Sequence, residues 1–330
     1  MFKKYNSIEN TYRQEFLTRI QSHWFWNLEY IVQEKAHGAN LSYWTKDGIH
    51  FHAAKRTEGI GKEEKFYNYE LVLEQIKPSL INIWKDLKKK DKDLEQVTFF
   101  GEIIGGSYPQ EEVKRDNSAL KVQKGIYYSP SNHFYLFDIL LNVENYLGVE
   151  AVNAYAEKEQ LLHAKTLFKG DLDTCLKYSN KFESTIPKQL GLPELSNNLC
   201  EGVIIRPAKT IYFKNGTRVL LKNKNEKWEE NKKYHKKIKI EAEAPEKVRQ
   251  LQEVILTYAT ENRLNNVISK VGEVTKKDFG KVLGMFNKDI VEDFKKDYTD
   301  IINGLDKKEL KLITKSIGKA TVGMVRNICL

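Results

Sequence analysis

The residues with chemical potential fall in a few short stretches. Lys35 stands in Val32-Gln33-Glu34-Lys35-Ala36-His37-Gly38-Ala39-Asn40. A lysine is a nucleophile only as the free amine, a form that desolvation or a neighbouring cation favours. Gly38 would let the chain turn sharply and bring backbone close to a bound ligand. Lys222 and Lys224 close the run Val219-Leu220-Leu221-Lys222-Asn223-Lys224. On a strand they share a face, where two ammonium groups repel unless an anion sits between them, and they would help depress the pKa of a nearby lysine. Glu201 precedes Gly202 and the branched apolar run Val203-Ile204-Ile205. A carboxylate buried there is costly without a cation or a hydrogen-bond partner, and a metal ion would supply one. Glu102 follows Phe100-Gly101 at a strand end, a place for a ligand hydroxyl, a metal-bound water or a simple turn acid. Arg56, after Ala53-Ala54-Lys55, could serve a bound anion or be a solvated strand-end charge.

No single stretch decides the reading. Lys-x-x-Gly also occurs at Lys188, Lys277, Lys281 and Lys315, so the partners and their order carry the weight. The elements that must position them can be read in turn. Tyr12, Phe16, Leu17 and Ile20 predict a short amphipathic helix over 10–22. Strands are expected over 29–33, 41–45 and 49–54, with a turn at Lys46-Asp47-Gly48. A helix is expected over 63–87, then strands at 97–100, 133–140, 200–207 and 219–224. The run Lys88-Lys89-Lys90 reads as a solvated surface, and 144–195 carries no recognisable chemistry.

Taken together, Lys35-Ala36-His37-Gly38, Phe100-Gly101-Glu102, Phe137-Asp138, Glu201-Gly202 and Lys222-Asn223-Lys224 resemble, in order, the motifs of ATP-dependent nucleic-acid ligases. His37 points to the RNA ligase 2 branch, because DNA ligases and capping enzymes usually carry Asp at that place. The resemblance implies that Lys35 attacks the α-phosphate of ATP to give lysyl-AMP, and that AMP then passes to an RNA 5′-phosphate for attack by a 3′-hydroxyl. It implies catalytic roles for Lys35, Glu201, Lys222 and Lys224. Nucleotide contacts are implied for Glu34, Lys35, His37, Gly38, Asn40, Arg56, Glu102, Phe137, Asp138, Ile204, Lys222 and Lys224, with Phe137 stacking on adenine and Ile204 on its other face. Such a stack contributes on the order of 1–3 kcal/mol. Mg²⁺ is implied as the metal, with Glu201 and Glu102 as its ligands. The insert 107–130 resembles that of the kinetoplastid RNA-editing ligases. Ala39 and Arg206 depart from the pattern, standing where the family commonly has Thr and where the phage type member has Lys.

Length and charge agree with this. A chain of 330 residues predicts more than one domain. Its 54 Lys+Arg against 45 Asp+Glu, a net charge of +9, favours a polyanionic partner. Cys175, Cys200 and Cys329 are few, odd in number and not spaced for metal, which argues for a reducing intracellular compartment. Neither a signal peptide nor a membrane-spanning run is expected. Lys227, Lys232, Lys233, Lys236, Lys237 and Lys239 form a basic stretch that is either an exposed tether or a path for an RNA backbone. Beyond Pro245 the pattern turns helical, with an apolar face of Val248, Leu251, Ile255, Tyr258 and Ala259 and breaks at Gly284, Gly304 and Gly318. The stretches 262–273 and 277–282 resemble the C-terminal domain of the phage RNA ligase 2 type.

The expectation is therefore an α+β nucleotidyltransferase (adenylation) domain over 1–243, with antiparallel sheets around an ATP pocket, and a small all-α domain over 244–330 that engages RNA. The expected substrate is nicked double-stranded RNA with 3′-hydroxyl and 5′-phosphate ends, and the expected state a monomer. Alternatives are a ligase joining single-stranded or tRNA breaks, a DNA ligase or capping guanylyltransferase, and a catalytically dead binding relative.

Overall fold

The computed structural model describes residues 1–61, 63–228 and 246–329. They divide into two compact units, Met1–Asn225 and Glu226–Leu330. The expected boundary at 243/244 and the lysines at 232, 233, 236, 237 and 239 lie outside the described residues.

The first unit contains, in chain order, β1 (Glu9–Asn10), α1 (Gln14–Gln21), β2 (Tyr30–Lys35), β3 (Ala39–Thr45), β4 (His52–Lys55), α2 (Tyr69–Lys90), β5 (Val97–Ser107), β6 (Ser129–Leu141), β7 (Asn145–Tyr146), α3 (Val149–Lys158), β8 (Thr166–Gly170), α4 (Leu172–Leu176), α5 (Ile186–Gln189), β9 (Gly202–Pro207) and β10 (Leu221–Lys224). They build two five-stranded sheets, β1-β10-β9-β2-β8 and β4-β3-β5-β6-β7. All pairings are antiparallel except β1 with β10, where Glu9 faces Leu221 and Asn10 faces Lys222.

Strand parity decides what each sheet offers the pocket. In the first sheet Val32, Val203, Ile205 and Leu221 pack with Phe16, Leu17 and Ile20 of α1. Successive residues point to opposite faces. Gln33 and Lys35 of β2, Ile204 and Arg206 of β9, and Lys222 and Lys224 of β10 are therefore left on the other face. In the second sheet Leu41, Tyr43, Phe99, Ile103, Leu136 and Ile139 pack with Val72, Leu80, Ile83 and Leu87 of α2. Phe100, Glu102, Asp138 and Leu140 turn the other way, and Tyr5, Phe100, Leu140 and Leu220 form a small core joining both sheets.

One irregularity matters for the site. Phe100 pairs with Asp138 and Gly101 with Leu136, so Phe137 is the extra residue of a β-bulge. A bulge re-aims side chains and is common beside active sites. Without it Phe137 and Asp138 would point to opposite faces.

The second unit is all-helical among the described residues, apart from short 3₁₀ turns. It comprises α6 (Glu246–Leu256), α7 (Glu261–Val271), α8 (Phe279–Asp297), α9 (Thr299–Ile302), α10 (Lys307–Lys315) and α11 (Gly318–Cys329). Leu251, Ile255, Tyr258, Phe286, Ile290 and Phe294 lie in its core. The break that the sequence predicts at Gly284 is absent; Gly284 lies inside α8. A helical glycine costs about 1 kcal/mol, and the buried Val282, Phe286, Ile290 and Phe294 on one stripe of α8 outweigh it. Arg263 is buried and donates to Asp289 at 2.5 Å and to Asp293 at 3.0 Å, tying α7 to α8. Among the described residues no helix is long and apolar enough to cross a membrane.

Candidate active site

β2 pairs with β9 so that Lys35 lies opposite Gly202, and β9 pairs with β10 so that Lys224 lies opposite the same glycine. Glu201, one residue before Gly202, is thereby set between two lysines. Lys35 Nζ donates to Glu201 Oε2 at 2.5 Å, and Lys224 Nζ reaches Oε1 at 3.0 Å. His37 Nδ1 sits 3.6 Å from Oε2. Glu201 is 1% exposed. Burial alone would push its pKa up, but Lys35 and Lys224, with His37 behind them, together hold it well below the usual carboxylate range.

Two glycines make this geometry possible. Gly202 has φ +147°, and a Cβ there would lie 2.1 Å from the Asn223 carbonyl oxygen. A Cβ on Gly38 would lie 2.5 Å from the Ile103 carbonyl oxygen. Gly38 therefore serves a close approach of two backbones, where β2 leaves one sheet and β3 enters the other.

Glu102 faces the same pocket, and Asn40, its partner across β3 and β5, donates to it at 3.5 Å. Burial raises the Glu102 pKa to about 7; Glu201 adds to the rise, while Lys35, the Asn40 amide and Arg56 oppose it. Arg56 donates to the Asn6 carbonyl at 3.3 Å, and burial lowers its pKa against the pull of Glu102. Phe137 and Ile204 are partly buried against the same small core, and Tyr5 meets the Phe137 ring edge-on at 4.9 Å between centroids.

Other expected residues are placed differently. The Asp138 carboxylate is fully buried, and its Oδ2 accepts from Tyr5 Oη at 2.9 Å, Arg206 Nη1 at 2.8 Å and Arg218 Nη1 at 2.7 Å. Arg206 also donates to the Phe137 carbonyl at 2.9 Å and to Gln33 at 3.0 Å. Asp138 thus stands in a buried ionic cluster whose arginines brace the strand that carries Phe137. The Glu34 carboxylate points away from Lys35, accepting from Ser184 Oγ at 2.6 Å and from Thr185 N and Oγ1 at 2.8 and 2.6 Å. Lys222 lies on the Lys224 face, opposite Ile204. Sequence reasoning missed Tyr5, Arg218, Tyr128, Tyr135, Ser184 and Thr185, none of which belongs to a motif.

A metal can be tested against this donor set. Among the described residues no group of three or more His, Cys, Asp or Glu could hold one. Mg²⁺ commonly keeps several waters and binds through one or two carboxylates plus substrate phosphates. Glu201 and Glu102, close enough for the charge on one to raise the other, fit that mode.

Glu102 makes stability depend on pH. Its carboxyl stays protonated in the folded chain up to about pH 7, whereas in the unfolded chain it ionises near 4.5. Between those values the unfolded state binds fewer protons, so stability falls as pH rises. The shift corresponds to about 3 kcal/mol. Thermal melts of Glu102→Gln and the parent protein should therefore converge near pH 4 and diverge towards pH 8, with the variant the more stable. Parallel curves would refute the assignment.

The family model described as RNA ligase matches residues 28–224, and the model described as T4 RNA ligase 2 C-terminal matches residues 242–322. Mitochondrial RNA-editing ligase 2 of Trypanosoma brucei brucei is 24% identical over 352 residues, covering 90% of this chain and 84% of that protein. Mitochondrial RNA-editing ligase 1 of the same organism is 26% identical over 339 residues, covering 83% and 71%. Among solved structures, the Naegleria gruberi RNA ligase with PPi is 15% identical with a TM-score of 0.41, covering 69% of this chain and 57% of that one. The chain thus spans little more than half the length of that protein. The chain belongs to the RNA ligase family, with a C-terminal part of the T4 RNA ligase 2 type.

Proposed function

We propose that this ligase carries AMP on Lys35 and seals nicks in duplex RNA. The observation that carries the first half is the meeting of the Lys35 and Lys224 amines on opposite oxygens of the buried Glu201. Glu201 orients Nζ of Lys35, and Lys224 and Lys222 supply the cations that an α-phosphate requires. Lys35 Nζ attacks the α-phosphorus, the bond to the bridging oxygen breaks, and pyrophosphate leaves; the amine loses its proton and an N–P bond is formed. AMP then passes to the RNA 5′-phosphate, and the 3′-hydroxyl displaces it. Phe137 and Ile204 hold the adenine between them, and Glu102 and Arg56 take the ribose and phosphates. In such transfers positioning and charge neutralisation provide most of the catalysis. Mg²⁺ held by Glu201 and Glu102 would neutralise phosphate charge and orient the pyrophosphate. Mn accompanies ATP in a solved structure of the Naegleria gruberi enzyme.

The duplex preference is supported by the C-terminal family match and by a groove of the helical unit. Lys288 and Lys295 of α8 and Lys307 and Lys311 of α10 line it around Val291 and Leu310. Of these lysines only Lys288 has an acidic neighbour within 4.0 Å among the described residues, Glu292 at 3.8 Å. Three cations with no acidic neighbour within 4.0 Å among the described residues, facing one groove, suit a phosphate backbone. Deleting residues 246–330 should leave lysyl-AMP formation within about twofold and slow nick sealing on duplex RNA at least about tenfold. Equal sealing by the truncated and full chains, or faster joining of single-stranded ends than of nicks by the full chain, would overturn the duplex reading.

A further inference from the structure

Lys35 is the last residue of β2 with a ladder partner, Gly202. Residues 36–38 then cross from one sheet to the other, and β3 begins at Ala39. The backbone at this crossing has no strand to pair with, and a buried N–H or C=O without a partner costs about 1–3 kcal/mol. One tyrosine meets that need after the lysine, and a second braces the strand residue before it. The His37 amide N–H donates to Tyr128 Oη at 2.8 Å, and Tyr135 Oη donates to the Glu34 carbonyl at 3.3 Å. Both side chains are buried, Tyr128 at 0% and Tyr135 at 1% exposure. Burial also raises both phenols well above their ordinary pKa, so they stay neutral throughout the working pH range. From the other side, Ser184 and Thr185 hold the Glu34 carboxylate.

We infer that Tyr128 and Tyr135 are positioning residues for the transfer of AMP to and from the enzyme. They clamp the backbone one residue before and two residues after the nucleophile, so that Lys35 meets the α-phosphorus from a fixed origin. Tyr128 is the stronger arm, because its bond is the shorter, 2.8 Å against 3.3 Å. The inference rests on Lys35 being the nucleophile. Tyr128 lies near the end of the 107–130 segment, just before β6, so this segment contributes to the site whatever else it does.

Removing one hydroxyl keeps the ring and its packing. In Tyr128→Phe, loss of the hydrogen bond to the His37 amide should shift the 36–38 segment, and a displacement of about 1 Å can cost as much as about 100-fold in rate. The single-turnover rate of lysyl-AMP formation should fall between about tenfold and 100-fold, with KM for ATP changed less than about threefold. Tyr135→Phe should show the same pattern with a smaller loss. Sealing of a nicked duplex already carrying AMP on its 5′-phosphate needs no lysine nucleophile, and its rate should match the parent protein in both variants.

An unchanged adenylation rate in Tyr128→Phe would overturn the inference. So would a parallel loss of adenylation, KM and pre-adenylated sealing, which would mark a merely structural tyrosine. Lys35→Ala separates this from failure of the nucleophile reading. If Lys35→Ala still forms an adduct, that reading fails; if it forms none while Tyr128→Phe behaves like the parent protein, only the clamp fails.

Discussion

Lys35→Ala is expected to form no covalent AMP adduct and to lose ATP-dependent ligation by on the order of 10⁴-fold or more, as when the nucleophile of a covalent mechanism is deleted. The side chain is 19% exposed and ends in a pocket, so its loss leaves no apolar cavity and the fold should persist. Two functions ought to survive. Lys224 still pairs with Glu201 at 3.0 Å, which keeps that carboxylate compensated. The last chemical step, attack of a 3′-hydroxyl on a 5′-adenylated end, draws on no lysine nucleophile, so ligation of pre-adenylated RNA should remain measurable. A variant that lost this step together with adenylation would show that Lys35 does more than carry AMP.

Glu201→Gln should be almost as damaging, for a different reason. Glutamine keeps the shape and removes the charge that both lysines share. Two ammonium groups then face each other with no carboxylate between them, and Nζ of Lys35 loses its orienting acceptor. Removing one such preorganised charge should slow lysyl-AMP formation by about 10²–10³-fold. Stability should also fall, by up to about 3–5 kcal/mol if the pair behaved as fully buried, and by less here because Lys35 is 19% exposed. Rapid-quench measurement of adduct formation, beside a thermal melt, separates the two effects. An adenylation rate within about threefold of the parent protein would remove Glu201 from the mechanism.

How much of this was legible depended on the range over which each signal acts. Lys35 and Lys224 could be read because each lies on a strand whose parity is visible locally, and parity delivers them to one face; Glu201 precedes β9 and is turned towards them at Gly202, whose φ is +147°. Lys222 and Lys224 share that face by the same period-2 argument. Phe137 and Asp138 could not be resolved that way, because neighbours in a regular strand diverge and the bulge that brings both inward is set by pairing with β5. Hence Asp138, expected on the nucleotide, is found between Arg206 and Arg218. Tyr5 reaches it across 133 residues of chain and Arg218 across 80, separations that no local spacing encodes.

The elements tell the same story. The expected strand over 97–100 continues to Ser107, because β6 supplies a partner along its length and offsets the glycines at 101, 105 and 106. The helix expected over 63–87 starts later, at Tyr69, and runs on through Lys88-Lys89-Lys90, whose charge suits the helix C-terminus. Tyr128 and Tyr135 were invisible for a further reason. Their role is to satisfy backbone groups, and backbone demand leaves no trace in residue type.

Lys35 is expected to become covalently adenylated. The most direct measurement incubates the purified full chain with Mg²⁺ and ATP or GTP, records its intact mass, and maps any adduct by peptide sequencing. The protein should gain one AMP from ATP and nothing from GTP, with the adduct on the peptide that carries Lys35. A GMP adduct, an adduct on another lysine, or an unlabelled protein whose mass already excludes bound AMP would contradict it.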